Sequence, residues 1–229
     1  MILPAAVGLT LVGGAAHGMF HRNSRVFGSV LGRLPGGLKR IALTFDDGPN
    51  PEATPRILDA LAKRDVKATF FILGAHAELW PELVRRVAAE GHQVGNHGYF
   101  HRKLHLKSPQ YVKRDIELGK SAIERAGGGT PRYFRAPHGF RSPWVTAIAR
   151  SLGERTIGWS LGVWDSDRPG VSSIVDRTIE GTKPGSIILL HDGDGYDANG
   201  DRLQTAAAVP EIITRLHDRG YEFVTLPAA

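Results

Sequence analysis

The stretch Ile41-Ala42-Leu43-Thr44-Phe45-Asp46-Asp47-Gly48-Pro49 reads as a buried strand that stops in an abrupt turn. Its last residues before the turn are two adjacent carboxylates. Neighbouring like charges repel, so their placement at a strand end points to a use. One carboxylate can hold a metal ion while the other stays free to move protons. The pair by itself does not say which does which.

Outward from this stretch, short β-rich runs alternate with helix-like stretches. Strands are expected at 40–45, 68–73, 93–95, 132–135, 156–159, 186–190 and 222–225. Helices are expected at 51–63, 80–90, 108–126, 143–152, 171–180 and 204–219, with Thr54 as the cap of the first. This alternation predicts an α/β fold of parallel βαβ units. Seven strands suit a closed barrel or an open sheet, and the pattern alone does not choose. In both, the site lies at the carboxyl ends of the strands. Asp46, Arg135, Trp159 and His191 all fall at or just past such ends.

The bulk numbers narrow the function classes. The chain has 229 residues, 41% hydrophobic and 23% charged, which suits one large globular unit. It has no cysteine, so disulfides, thiolate metal sites and Cys nucleophiles are excluded. The net charge of +6 is scattered over helix-like stretches and carries no nucleic-acid fingerprint.

Residues 2–20 contain no Asp, Glu, Lys or Arg. That is about the length of a membrane span or a signal-peptide core. Pro4, Thr10, His17 and four glycines dilute the signal, no basic residue precedes it, and Arg22 and Arg25 follow it. Two readings stand. One is a secretory or anchoring remnant with weak membrane or envelope association, which implies an extracytoplasmic or cell-envelope location. The other is a packed N-terminal segment of a cytoplasmic protein, the side that the positive-inside rule favours.

Three further motifs carry chemistry. His97-Gly98-Tyr99-Phe100-His101 holds two His four apart, which converge on one ion if the backbone makes a helical turn. Two imidazoles and one carboxylate leave positions open for water and substrate. With 10 His in the chain, including the nearby His92 and His105, such spacing is not decisive alone. Arg135-Ala136-Pro137-His138-Gly139 places an Arg just after a strand, as a solvated loop residue or as a clamp on a carboxylate. Leu189-Leu190-His191-Asp192-Gly193 ends an apolar strand in a His, a structural residue or an acid/base.

Taken in this order and in these places, the four motifs resemble those of the polysaccharide deacetylases, the family 4 carbohydrate esterases with the chitooligosaccharide-deacetylase type of homology domain. The resemblance spans roughly residues 39–226. It divides the chain into an apolar segment and lead-in, 1–38, and a catalytic domain, 39–229. It implies a distorted (β/α) barrel of about seven parallel strands. It also implies one divalent metal, zinc first, with cobalt, manganese or nickel as alternatives. Asp47, His97 and His101 match the metal ligands, Asp46 the general base, His191 the general acid and Arg135 the residue that orients the base. Trp159 and Leu189 match walls of a small acetate pocket. The backbone N–H of His138 matches the oxyanion donor.

One stretch departs from the family. Many members carry an Asp-Trp pair after the Trp matched by Trp159, and its Asp steers the catalytic His. Here the chain reads Trp164-Asp165-Ser166. Asp165 is assigned as the His191 partner, Asp167 is its rival, and Trp164 is a candidate sugar-stacking residue. The acidic run from His191 to Arg202 looks like a calcium loop but lacks the terminal Glu, so a polar rim loop is the better reading. The implied activity is metal-dependent removal of N-acetyl groups from a GlcNAc-containing glycan such as chitin oligomers or peptidoglycan. An O-acetyl polysaccharide esterase and a non-catalytic glycan-binding protein are the alternatives.

Overall fold

The computed structural model describes residues 13–228. Most of the apolar N-terminal stretch, residues 2–12, lies outside the described residues. Residues 13–20 form a short helix, α1. Among the described residues no helix is long and apolar enough to cross a membrane.

The strands are β1 (Arg40–Asp46), β2 (Thr69–Ile72), β3 (Gln93–Asn96), β4 (Tyr133–Phe134), β5 (Arg155–Thr156), β6 (Leu161–Gly162), β7 (Ile187–His191) and β8 (Glu222–Phe223). The sheet runs β5-β4-β3-β2-β1-β7-β6, with β8 paired to the start of β1. All of these pairings are parallel. The sheet curls into an open half-barrel, so the choice that periodicity left undecided falls on a distorted, unclosed (β/α) barrel. β6 was not anticipated; two residues are too short to show a period.

The lead-in spans the opening between the sheet edges. Leu31 bridges to Ile157 and Arg33 to Ser186, with Leu34 N–H donating to Gly185 O at 2.8 Å. Val30 and Leu34 are buried, so this segment packs with the sheet.

The helices are α2 (Ala53–Ala62), α3 (Gly74–Leu79), α4 (Pro81–Ala89), α5 (Pro109–Arg125), α6 (Val145–Ser151), α7 (Val171–Gly181) and α8 (Leu203–Asp218). Helix α3 was not anticipated. It is separated from α4 at Trp80, whose φ of −132° and ψ of 63° are non-helical, with Pro81 opening the next helix. The cap of α2 also differs from expectation. Asn50 does the capping, its Oδ1 accepting from the N–H groups of Glu52 and Ala53 at 3.0 and 2.9 Å. Thr54 lies inside the first turn and turns its hydroxyl to Asp192.

β1 is buried on both faces, as a central parallel strand should be. Ile41, Leu43 and Phe45 join the outer core beneath α2 and α8. Ala42 joins the inner cluster with Phe71, Tyr133, Ile157 and Ile187. The two-residue period then puts Thr44 and Asp46 on the inner face above Ala42. A strand made to be buried therefore delivers one carboxylate to the interior end of the barrel. The next residue, Asp47, leaves the strand with a φ of 71°.

Candidate active site

β1 pairs with β7 so that Asp46 lies opposite His191. The carboxyl ends of β1, β3, β4 and β7 thus bring Asp46, His97, Arg135 and His191 to one rim. A cleft of about 640 Å³ opens there, lined among others by Asp46, Asp47, His97, His101 and His191.

Asp47, His97 and His101 converge. Their ligand atoms lie within 4.8 Å of one another, and all three residues are buried. His97 Nε2 and His101 Nε2 stand 3.2 and 3.1 Å from Asp47 Oδ1. The fit to a divalent cation can be tested on the atoms themselves. Asp47 Oδ1 is buried and accepts no hydrogen bond, an expensive condition for a carboxylate oxygen unless a cation meets it. His97 Nδ1–H donates to Arg135 O at 2.9 Å, which aims its Nε2 at the same point. Two imidazole nitrogens and one carboxylate oxygen suit zinc and the neighbouring divalent metals.

Electrostatics agree. Burial alone would raise the Asp47 pKa, but His101, His97 and His191 outweigh it and hold the carboxyl well below the usual range. Burial pushes His101 down to about 3 against the pull of Asp47, so its imidazole is neutral. Burial would also lower His97, but Asp46 and Asp47 outweigh it and raise it. A proton on His97 therefore competes for the place that a cation takes.

The expected helical turn through 97–101 is absent. The two His converge on an irregular loop, with Gly98 at φ 79° and His101 at φ 52°. Side chains shape that loop. Asn96 Oδ1 accepts from Gly98 N–H at 2.9 Å and Asp115 Oδ1 from Phe100 N–H at 3.2 Å. A Cβ at Gly98 would collide with Asp115, which is why this position takes glycine.

Asp46 has a different set of neighbours. Arg135 Nη1 donates to Asp46 Oδ1 at 2.6 Å and to Thr44 Oγ1 at 2.8 Å, and its Nη2 donates to Gly158 O at 2.9 Å. The guanidinium is fully buried between the rings of Phe71 and Trp159, 4.1 and 5.6 Å from their centroids. Arg135 is therefore a clamp on a carboxylate and not a solvated loop residue. Asp46 Oδ2 stands 3.8 Å from His97 Nε2 and is further from the ligand cluster than Asp47.

On the opposite side, Asp165 grips His191 twice. Its Oδ1 accepts from His191 Nδ1 at 2.9 Å and its Oδ2 from the His191 backbone N–H at 2.8 Å. Thr205 Oγ1 adds a bond to Oδ2 at 2.8 Å. Burial would lower the His191 pKa, but Asp165 first, then Asp47 and Asp46, push it up to about 9. The geometry selects Asp165 over Asp167, whose neighbours include no bond to His191. Trp159 and Leu189 line the cleft beside this pair.

The rim explains the remaining candidates. His138 has a φ of 59°, sets its ring 4.6 Å from the His101 ring at a 44° tilt and bonds through Nε2 to the Tyr196 hydroxyl at 2.9 Å. Trp164, also left-handed at φ 59°, lines the cleft and is 69% exposed. The acids of the 192–202 loop do not gather on one point. Asp194 Oδ1 accepts from the N–H groups of Tyr196 and Asp197, Asp194 Oδ2 from Arg202, Asp197 from Asn199 N–H and Asp201 from Leu203 N–H. They build turns, so the polar-rim reading accounts for them. His92 is structural: it is buried, it accepts from Ala68 N–H, and burial pushes it down to about 4.

Several contributors escaped the sequence reading: Thr44, Asn96, Asp115, Tyr196 and Thr205. Thr44, Asp115, Tyr196 and Thr205 act through hydrogen bonds across 91, 15, 58 and 40 positions, a relation no local spacing records, and Asn96, which reaches Gly98 two residues on, is itself held by Ile116 O and Glu154. Asp192 is another. It is buried beneath the Asp47–Gly48 turn, accepts from Thr54 Oγ1 at 2.6 Å, and is pushed up to about 7 by burial and Asp47 against the Thr54 bond.

Comparison with known proteins agrees with this geometry. The polysaccharide deacetylase family model matches residues 34–157. The chain is 43% identical over 197 residues to a chitooligosaccharide deacetylase of Sinorhizobium fredii, covering 83% of this chain and 92% of that protein. It superposes with a TM-score of 0.79 and 34% identity on the Bc1960 peptidoglycan N-acetylglucosamine deacetylase, covering 86% of this chain and 91% of that one. It also superposes with a TM-score of 0.78 and 28% identity on BA3943 of Bacillus anthracis, described as a pseudoenzyme, covering 86% of this chain and 67% of that one. With its motifs, its half-barrel and its Asp/His/His cluster matched together, the chain belongs to the polysaccharide deacetylases of carbohydrate esterase family 4.

Proposed function

We propose that the protein is a metal-dependent hydrolase that removes N-acetyl groups from a GlcNAc-containing glycan, and that it works at the cell envelope. The observation that carries the activity is the separation of tools in one cleft. A buried Asp/His/His cluster stands beside a carboxylate clamped by Arg135 and a histidine clamped by Asp165. The relatives act on chitooligosaccharides and on peptidoglycan, which supports an acetylated glycan as the substrate. The net charge of +6 supports the envelope location, because cell-surface polymers are commonly anionic.

Asp47, His97 and His101 would hold the divalent cation, which when bound polarises the amide carbonyl and makes water easier to ionise. The residues of the chain do the rest. Asp46, fixed by Arg135, takes a proton from the attacking water. The N–H of His138 donates to the carbonyl oxygen as charge develops on it. His191, kept protonated by Asp165, gives its proton to the amine nitrogen as the C–N bond breaks. Acetate and a free amine leave. Trp159 and Leu189 enclose the acetyl methyl, and Trp164 offers its exposed face to a sugar ring. An acid distinct from the base lets both proton transfers occur without one group changing roles.

The test is acetate release from N-acetylated chitooligosaccharides and peptidoglycan fragments, with metal added and with metal chelated. Turnover that depends on metal and is lost in Asp46→Asn is expected. Activity surviving both treatments would overturn the mechanism. BA3943 gives the non-catalytic reading a concrete form, but here Asp46, Asp47, His97, His101 and His191 are all present and assembled. Faster release from acetylxylan than from chitooligomers would favour the O-acetyl esterase.

A further inference from the structure

The end of helix α1 and the residues just after it form a wall of the catalytic cleft, and their chemistry is unused by the mechanism above. Phe20, His21 and Arg22 line the same opening as Asp46 and His191. They precede the family match, which begins at residue 34. The wall is held in place from several sides. Arg141 is buried and its Nη2 donates to His21 O at 3.1 Å and Ser24 O at 2.9 Å, while its backbone N–H donates to Met19 O at 3.1 Å. Asn23 Nδ2 donates to Trp159 O at 2.8 Å. Committing a buried guanidinium to backbone carbonyls of one short segment fixes that segment's path.

Arg22 stands out within this wall. Its Nε donates to Trp159 O at 3.0 Å and its guanidinium lies 5.4 Å from the Trp159 ring. Those contacts fix the side chain against a residue of the acetate pocket. They use one of its five N–H groups. Among the described residues no carboxylate lies within ion-pair distance of it, whereas Arg202, the other arginine lining the cleft, is paired with Asp194 at 2.6 Å. Deeper in the cleft Asp46 and Asp165 are each paired, with Arg135 and His191, whereas the outer wall presents a fixed cation whose remaining donors meet no carboxylate of the described residues. Guanidinium forks match carboxylates in a bidentate way.

We propose that Arg22 is a specificity residue that binds a carboxylate carried by the glycan on the reacting sugar or its immediate neighbour. This rests on the deacetylase reading and names its substrate class more closely. The substrate is an acidic, muramic-type N-acetylated glycan with a lactyl carboxylate, in preference to a neutral chitin chain. The position follows from the contact with Trp159, which places the fork beside the reacting acetyl group and not at a distant subsite.

The experiment uses the metal-loaded enzyme and three tetrasaccharides. They are chitotetraose, an alternating GlcNAc–MurNAc tetramer with free lactyl carboxylates, and the same tetramer with its lactyl groups converted to neutral amides. The expected result is a higher kcat/KM on the free acid than on its amide. In Arg22→Gln that ratio falls about 10-fold or more, the range for a lost charge-assisted bond. Arg22→Lys recovers part of it. A ratio of one in the wild-type enzyme, or a ratio unchanged in Arg22→Gln, overturns the proposal, and an equal loss on both tetramers marks Arg22 as a support of Trp159 only. Binding of the same tetramers by calorimetry gives the ratio without turnover. Charge-selective binding lost in Arg22→Gln would keep this proposal while absent acetate release removed the deacetylase reading.

Discussion

Asp46 and His191 are register partners on the neighbouring parallel strands β1 and β7. One step of the sheet therefore sets the distance between the proposed base and the proposed acid. Each has its own counter-charge from a third place in the chain: Arg135 beyond β4 for Asp46, and Asp165 beyond β6 for His191. Asp165 keeps His191 protonated, and Arg135 fixes the Asp46 carboxylate by a direct ion pair at 2.6 Å.

The neighbouring carboxylates should separate in mutagenesis. Asp47→Ala removes the buried oxygen that the two His surround and should abolish metal binding, read by metal content after desalting. Asp46→Asn keeps the Asp47/His97/His101 cluster and should retain metal while kcat falls about 10²–10⁴-fold, the usual range for a lost general base. The reverse pattern would mean that the two carboxylates have exchanged roles.

Asp165 should control the alkaline side of the pH–rate profile. His191 acts as an acid only while protonated, and Asp165 is the largest influence holding its pKa up to about 9 against burial. Removing the negative charge in Asp165→Asn lowers that pKa. The alkaline limb of kcat/KM should then move toward acid by about 1–3 units. An unmoved limb in an otherwise active variant would give that limb to another group.

What was legible in the sequence is what is local. The TFDDGP turn, the spacing of His97 and His101, and an Arg or a His at a strand end are visible because each lies within a few residues. The alternation of β and α runs located seven strands, yet β6 has only Leu161 and Gly162, and α3, at six residues between an expected strand and an expected helix, is too short to show a helical period. The convergence of the His pair was legible but its cause was not. An irregular loop held by Asn96 and Asp115 replaces the helical turn, and the bond from Asp115 to Phe100 crosses 15 positions. The wall that carries Arg22 is reached by bonds across 136 and 137 positions to Trp159. No window along the chain reveals such contacts.

Glu154 makes stability fall with rising pH. It is buried, receives Asn96 Nδ2 on both carboxylate oxygens at 3.1 and 3.2 Å, and is pushed up by burial from 4.5 to about 8. A folded-state pKa above the unfolded value means that the folded protein binds the extra proton. The contribution is complete below about 4.5 and is lost as pH rises through about 8. Glu154→Gln keeps an acceptor for Asn96 and cannot ionise. Its Tm should exceed the wild-type value increasingly from pH 6 to pH 9. Parallel Tm curves for the two proteins would remove Glu154 as the cause.

Gly195 should be a metal-affinity residue although it has no side chain. The 192–202 loop lies so close to the cluster that a Cβ at Gly195 would collide with the His101 ring. That ring is buried, with the tilted His138 ring 4.6 Å away and the edge-on Tyr196 ring 5.1 Å away, so it has little room to retreat. The loop is no freer, because Arg202 bonds Gly193 O and Asp194, and Asn50 bonds the carbonyls of Ala198 and Gly200. Gly195→Ala should therefore turn His101 away from Asp47 and weaken metal binding about 10- to 100-fold, the range for disturbing a ligand's supports. Calorimetric titration of the chelator-stripped protein reads the affinity, and an unchanged far-UV spectrum separates this from unfolding. Wild-type affinity in a folded Gly195→Ala protein would show that the loop yields instead of the ligand.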